Sequence, residues 1–167
     1  NTIPLKEIHF ANDNVEYCVS DSSKIIKTIN GGLTWTDLTN TSILDGKLNT
    51  IWFLNSDTGF VGRSSNYSVL KTINGGLSWI IDSSIYYGSC YILKFLNDTL
   101  GYVGCANSSL FKTINSGLSW TQVTNINTFQ NIMGIDFADF THGIAITDSH
   151  IHRTNNGINW NDVNIPD

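Results

Sequence analysis

Residues 27–35 read KTINGGLTW, and this stretch decides the fold because the chain repeats it. The further copies are KTINGGLSW at 71–79, KTINSGLSW at 112–120 and the divergent HRTNNGINW at 152–160. The tryptophans that close the copies are spaced 44, 41 and 40 residues apart: Trp35, Trp79, Trp120 and Trp160. Self-similarity at a period near 40 is typical of repeat architectures.

Each copy predicts a tight hairpin turn between two strands. An Asn-Gly pair between apolar segments is a strong hairpin signal, because Gly and Asn tolerate positive φ. Three copies contain the pair and the third copy has Asn115-Ser116 instead. The tryptophan then falls on the return strand, where an indole buries on the order of 200 Å². We therefore expect all four tryptophans to be largely buried just after a turn.

Further strands are predicted around each turn. Apolar segments with period-2 alternation, each ending in Phe, occur at 5–10, 48–53, 90–95 and 132–137, and such alternation marks strands. A second strand, a third that enters the turn and a fourth that leaves through the tryptophan follow. Four short strands in a unit of this size are typical of a propeller blade. The sequence predicts an all-β fold, a β-propeller of four four-stranded antiparallel blades.

The repeated turn resembles the Asp-box, or BNR repeat, whose pattern is Ser/Thr-x-Asp-x-Gly-x-x-Trp. Asn stands at the Asp position here, and the last copy, aligned on Arg153, has no hydroxyl. The resemblance implies a structural role on the outer hairpins of the blades. The matching residues are Thr28, Asn30, Gly32 and Trp35; Thr72, Asn74, Gly76 and Trp79; Thr113, Asn115, Gly117 and Trp120; and Asn155, Gly157 and Trp160.

The full pattern is similar to Ycf48-like and Bacteroidota BNR-like propeller repeats, whose rings usually have six to eight blades. We interpret residues 1–167 as a single propeller domain with repeats at about 3–42, 46–84, 89–126 and 130–167. A closed four-bladed ring is the expectation. The alternative is an open four-blade part of a larger propeller, which would expose apolar residues of the first and last blades around Ile8 and Ile135.

The composition bounds the function. Charged residues make up 14% of the chain and the formal net charge is −5. This argues against a nucleic-acid partner, which needs clustered Lys and Arg. No apolar run approaches the 18 or so residues of a membrane span, so no membrane insertion is expected. The chain begins with Asn1 rather than Met, and we expect an exported protein whose signal has been removed, located outside the cell, at its surface or in the periplasm.

No catalytic constellation is evident. Asp-box proteins include sialidases, which clamp a carboxylate with three arginines, but this chain has only Arg63 and Arg153. We therefore expect no enzyme, and we keep a domain related to glycoside hydrolases only as a remote alternative. The pair His150 and His152 lacks the further ligands that a metal site needs, so neither a metal nor another cofactor is expected. Cys90 and Cys105 flank one predicted hairpin, where they either form a disulfide or remain free thiols.

The remaining candidates are positions that break the repeat. His9, Trp52, Lys94 and Asp136 occupy equivalent places in the four first strands, and the exposed-loop tyrosines Tyr86 and Tyr87 have no counterparts in the other repeats. Surface aromatics favour contacts with proteins or sugars. We interpret the chain as a non-catalytic protein-interaction or scaffolding module that binds a protein partner or itself. The alternative is a glycan-binding propeller, although a lectin of that kind should repeat its aromatic residue in every blade.

Overall fold

The computed structural model describes residues 4–39, 46–86, 88–123, 126 and 130–164. Across these residues the chain forms four antiparallel sheets of four strands each, and the described part contains no helix. We call the sheets blades one to four in chain order. The chain divides into two compact units, Asn1–Cys90 and Tyr91–Asp167. That the two units form a single domain stays a prediction.

The first unit contains blades one and two, and every sheet is a meander whose strands pair in chain order. Blade one comprises β1 (Leu5–Phe10), β2 (Glu16–Ser20), β3 (Ile25–Thr28) and β4 (Thr36–Asp37). Blade two comprises β5 (Leu48–Phe53), β6 (Gly59–Arg63), β7 (Val69–Thr72) and β8 (Ile80–Ile81).

The second unit contains blades three and four, and the boundary between the units falls at the first residue of β9. Blade three comprises β9 (Cys90–Phe95), β10 (Gly101–Cys105), β11 (Leu110–Thr113) and β12 (Thr121–Val123). Blade four comprises β13 (Gly134–Phe137), β14 (Gly143–Ile146), β15 (Ile151–Thr154) and β16 (Trp160–Val163). The four predicted strands of every repeat are therefore present.

A glycine opens the second strand of blades two to four because a phenylalanine ring lies flat against it. Phe53 pairs with Gly59 across β5 and β6, and a Cβ on this glycine would lie 2.6 Å from the ring. Gly101 and Gly143 have the same relation to Phe95 and Phe137, at 2.5 Å. A larger residue would lift the ring out of the core, so this glycine is a packing requirement.

The turn between the third and fourth strands is held by the hydroxyl of its threonine and the amide of its asparagine. In blade one, Thr28 Oγ1 accepts the backbone N–H of Gly32 at 3.0 Å and donates to Asn30 Oδ1 at 2.9 Å. Asn30 Oδ1 also accepts the backbone N–H of Thr34 at 2.9 Å. The same bonds recur at Thr72 and Asn74 and at Thr113 and Asn115. In each case two polar side chains replace the missing backbone partners of the turn.

The fourth turn differs from the alignment proposed from the sequence. Thr154, and not Arg153, pairs with the opening glycine of β14, and its Oγ1 accepts the backbone N–H of Gly157 at 3.0 Å. Asn156, and not Asn155, accepts the N–H groups of Ile158 and Asn159, at 2.9 and 2.8 Å. The hydroxyl is therefore retained. The loop is one residue shorter than in the other copies, which shifted the sequence alignment by one.

Within each unit, a tyrosine on a second strand packs against the following blade. Tyr17 of blade one stacks on Phe53, with ring centroids 3.5 Å apart. Its hydroxyl donates to the backbone oxygens of Ser56 and Gly75, at 2.9 and 3.2 Å. In the second unit, Tyr102 stacks on Phe137 at 4.6 Å and donates to the oxygen of Gly157 at 3.0 Å. The hydrophobic core of each unit is thus built between neighbouring blades.

The prediction that all four tryptophans are buried is wrong for Trp35. Trp79 is 5% exposed, and Trp120 and Trp160 are also buried, but Trp35 is 38% exposed. The reason is visible at Gly76. A Cβ placed on this glycine would lie within 3.6 Å of Trp79, Tyr17 and Leu38, so these three side chains meet there. The indole of blade two is covered by two side chains of blade one. At the equivalent Gly32 only Trp35 and Glu16 approach such a Cβ, both at 3.9 Å, so Trp35 lacks this cover.

An open arc of four blades is expected to expose apolar residues around Ile8 and Ile135, and only Ile8 is exposed. Ile8 is 51% exposed, whereas Ile135 is 8% exposed and lies in the core of the second unit. Exposed apolar residues of blade four include Ile144 and Ile146 on β14. The closed ring and the open arc both concern how the two units are arranged, so both stay predictions.

Candidate interaction surfaces

The first-strand candidates of the first unit, His9 and Trp52, lie against each other. Their ring centroids are 4.3 Å apart with the planes tilted by 45°. His9 Nδ1 accepts the backbone N–H of Phe53 at 3.2 Å, and burial lowers the pKa of His9 to about 4. His9 is therefore neutral at physiological pH and serves as an acceptor for the edge of β5.

The corresponding candidates of the second unit, Lys94 and Asp136, form an ion pair with a separation of 2.9 Å. The hydrogen bond from Lys94 lowers the pKa of Asp136, and the bond from the Phe137 backbone adds to this effect. The structure thus brings the four candidates together two by two. Each pair joins the first strands of the two blades in one unit. The sequence did not predict this pairing.

Glu7 is a further residue whose role the sequence did not reveal. Its Oε2 accepts the backbone N–H of Ile51 at 2.6 Å. Burial raises the pKa of Glu7, and hydrogen bonds from Thr50 and Ile51 oppose that shift. Together with His9, Glu7 therefore satisfies two N–H groups on the edge of β5. The alternation of β1, which places residues 7 and 9 on one face, was the available signal.

An aromatic pair lies at the end of blade two. Tyr67, in the loop between β6 and β7, meets Tyr86 edge to face with ring centroids 4.8 Å apart, and both side chains are exposed. Arg63 is buried beneath them, and its Nε and Nη2 donate to the backbone oxygen of Tyr67 at 3.3 and 3.2 Å. We call Tyr67 and Tyr86 the tyrosine pair. Tyr87, the other predicted loop aromatic, lies outside the described residues.

The backbone of the loop that carries Tyr67 is held by hydrogen bonds from two side chains. Tyr67 adopts a φ of 56°, a conformation that costs a non-glycine residue on the order of 1 kcal/mol. The two bonds from Arg63 hold its carbonyl in this position. Next to it, Ser68 Oγ donates to the backbone oxygen of Ser65 at 2.7 Å. The exposed ring is therefore presented by a braced loop.

Cys90 and Cys105 are both disulfide-bonded, whereas Cys18 is a free and buried thiol. Since the chain has three cysteines, the two bonded residues are joined to each other. They lie at the start of β9 and the end of β10, neighbouring strands of blade three.

The histidines do not form a metal centre in the described part of the chain, where no group of three or more His, Cys, Asp or Glu side chains is placed to hold an ion. The rings of His150 and His152 stack with centroids 6.2 Å apart. His152 is buried, and burial lowers its pKa. His142 pairs instead with Asp139 at 2.8 Å. None of the described residues belongs to a helix with the length and hydropathy of a membrane span.

No protein-family model matches the sequence, and no curated protein matches it. Solved structures do match. YCF48 bound to D1 peptide aligns with a TM-score of 0.76 and 19% identity, covering 99% of this chain and 55% of that one. An ancestral GH74 enzyme aligns with a TM-score of 0.85 and 19% identity, covering 98% of this chain and 24% of that one.

A third match is an extracellular domain from B. thetaiotaomicron, with a TM-score of 0.73 and 12% identity over 98% of this chain and 22% of that one. The chain thus spans 22% to 55% of the length of these three structures. YCF48 and the GH74 enzymes are β-propellers. The chain therefore has a β-propeller fold built from four-stranded antiparallel blades, as predicted.

Proposed function

We propose that the chain is a non-catalytic protein-interaction module of an exported or surface protein, and that the tyrosine pair is a contact surface for a peptide segment of its partner. The observation that carries this proposal is the exposed pair of rings, of which Tyr67 lies on a loop braced by Arg63. Tyrosine offers a large contact area with few rotatable bonds and a polar tip, and it is enriched where proteins bind.

Preorganisation supports the same role. An exposed loop ordinarily loses conformational entropy when it binds, and this loss weakens affinity. Here the backbone of the Tyr67 loop is already held by Arg63 and Ser68, so a partner would meet the Tyr67 ring in place. The likeness to YCF48 bound to D1 peptide adds a propeller of the same fold with a peptide ligand.

Three further parts of the proposal concern the family, the location and the chemistry. The hydroxyl–amide turns support membership of the Asp-box repeats, and the Cys90–Cys105 disulfide supports an oxidising compartment, where such bonds persist. Counting thiols under denaturing, non-reducing conditions tests the second part. One free thiol is expected, and three would contradict export. For a module that acts by binding, we expect no hydrolysis of the substrates used by GH74 enzymes.

The experiment for peptide binding starts with the whole chain immobilised and panned against a random-peptide phage library. Enriched peptides are then measured on the parent protein, on Tyr86→Ala and on Phe140→Ala. Phe140 is a matched control because its ring is equally exposed but lies on blade four. We expect Tyr86→Ala to weaken binding by about tenfold or more, as for a central aromatic contact, and Phe140→Ala to leave it unchanged.

Two outcomes would overturn this function. The first is a set of enriched peptides that bind Tyr86→Ala as tightly as the parent, or no enrichment at all. The second is binding on a glycan array that depends on Tyr86, because exposed aromatic rings also stack on sugars. That second result would favour the glycan-binding alternative.

A further inference from the structure

A repeated interface joins neighbouring blades within each unit, and it has a donor side and an acceptor side. The donor side presents a tyrosine and a lysine: Lys27 Nζ lies 3.4 Å from the oxygen of Gly75, to which Tyr17 also donates. In the second unit, Lys112 Nζ and the Tyr102 hydroxyl both donate to the oxygen of Gly157, each at 3.0 Å. The acceptor side presents that glycine carbonyl beside a phenylalanine ring.

Blade one carries an acceptor side that is open to solvent. Phe10 is 59% exposed, although its counterparts Phe53 and Phe95 are buried. Leu5, Ile8 and Trp35 are exposed on the same blade. Gly31 stands where Gly75 stands in blade two, because its N–H bonds to Asn14 as that of Gly75 bonds to Asp57. We call Leu5, Ile8, Phe10 and Trp35 the blade-one face.

Blade four carries a donor side that is also open. Ile144 pairs with Arg153 across β14 and β15, as Tyr17 pairs with Lys27 across β2 and β3. Ile144 is 48% exposed and Arg153 is exposed too. Both line a groove of about 400 Å³ together with Phe137. We call this cavity the blade-four groove.

We propose that the blade-one face of one copy of this chain docks into the blade-four groove of a second copy. Phe10 would cover Ile144, and the Arg153 guanidinium would donate to the oxygen of Gly31, repeating the contact that Lys112 makes with Gly157. A second copy is the occupant because the chain carries counterparts of both halves of an interface that it already uses twice within its units, with Ile144 and Arg153 in the places of the tyrosine and the lysine. Different surfaces meet in this contact, so the interface is heterologous.

The blade-one face also has the character of a docking surface. Its four large apolar side chains are exposed on one blade, and a surface that exposes several large apolar side chains is a candidate interaction site. The surface is separate from the tyrosine pair on blade two. Self-association through these surfaces therefore does not depend on peptide binding by the tyrosine pair.

The experiment measures the mass of the whole chain by sedimentation over a wide concentration range, for the parent, for Phe10→Glu and for Ile144→Glu. The parent is expected to associate. Each charged variant is expected to weaken association by about tenfold or more, because a carboxylate replaces the aromatic ring or the aliphatic side chain that makes the apolar contact. Leu118→Glu is the matched control, since Leu118 is highly exposed on a turn outside both surfaces, and it should associate like the parent.

Mixing the two variants tests the head-to-tail arrangement. Phe10→Glu retains an intact blade-four groove, and Ile144→Glu retains an intact blade-one face. An equimolar mixture should therefore form a mixed complex although each variant alone stays monomeric. Circular dichroism confirms folding, which these exposed substitutions should preserve.

A parent that is monomeric at every concentration overturns the proposal and leaves the blade-one face to another occupant. Association that survives both substitutions, or a mixture that remains monomeric, overturns it as well. A Phe10→Glu variant that still binds the selected peptides confirms that the two surfaces are independent.

Discussion

The hydroxyl of Tyr17 offers a measurable test of how neighbouring blades are joined. Tyr17 is fully buried and its ring stacks on Phe53. Tyr17→Phe keeps this ring but removes the single O–H donor that the backbone oxygens of Ser56 and Gly75 share, at 2.9 and 3.2 Å. Gly75 keeps a contact with Lys27 Nζ at 3.4 Å, whereas Ser56 loses its hydroxyl donor. We expect a loss of about 1.5–2 kcal/mol in the free energy of unfolding.

Tyr102→Phe provides the internal comparison. Tyr102 donates to one oxygen, that of Gly157, and Lys112 Nζ remains bonded to the same oxygen at 3.0 Å. This substitution strands no acceptor, so we expect a smaller loss, of about 0.5–1 kcal/mol. The order of the two losses depends on the number of acceptors and on the lysine distance, and so it follows from the structure alone.

Urea denaturation followed by tryptophan fluorescence measures both losses, at equal protein concentration so that any self-association affects each sample alike. Tyr67→Phe is the control, because that ring is exposed and its hydroxyl is not buried in a core. A Tyr17→Phe variant within about 0.3 kcal/mol of the parent, which is typical of neutral surface substitutions, would refute the reasoning. A larger loss for Tyr102→Phe than for Tyr17→Phe would refute it too.

Three further predictions follow from the turns and from His9. Trp79→Ala should cost about 3–5 kcal/mol in denaturation experiments because it empties a buried site, and a midpoint equal to that of the parent would contradict this. Thr154→Val should cost about 0.5–1.5 kcal/mol, because it removes a hydroxyl that accepts the N–H groups of Gly157 and Asn156, although the Gly157 N–H keeps the Thr141 oxygen at 3.0 Å. Asn155→Ala should be nearly neutral, and equal losses for the two variants would favour the alignment on Arg153 and Asn155. His9 has a folded pKa of about 4 against an ordinary value of 6.5, so its contribution is complete above pH 6.5 and is lost as the pH falls toward 4. His9→Gln should therefore flatten the fall in stability across that window, and an unchanged pH profile would show that His9 does not titrate in the folded state as described.

The sequence by itself determined the parts of this protein that depend on neighbours along the chain. The hairpin turns follow from a threonine, an asparagine and a glycine within a few residues. The strands follow from period-2 alternation, and the Phe53–Gly59 type of pair joins residues across a single hairpin. These interactions close over short loops, so the residues that make them lie within one repeat and recur visibly in the next.

The tertiary structure decided what depends on a neighbouring blade. Trp35 and Trp79 occupy the same place in nearly identical turns, but only Trp79 receives Tyr17 and Leu38 from a preceding blade. His9 meets Trp52 from a strand more than forty residues away, and the shorter fourth turn was recognisable only from the bonds of Thr154. Burial and pairing here arise between repeats. A pattern read within each repeat specifies the blade, and the contacts between blades specify which of its residues are covered.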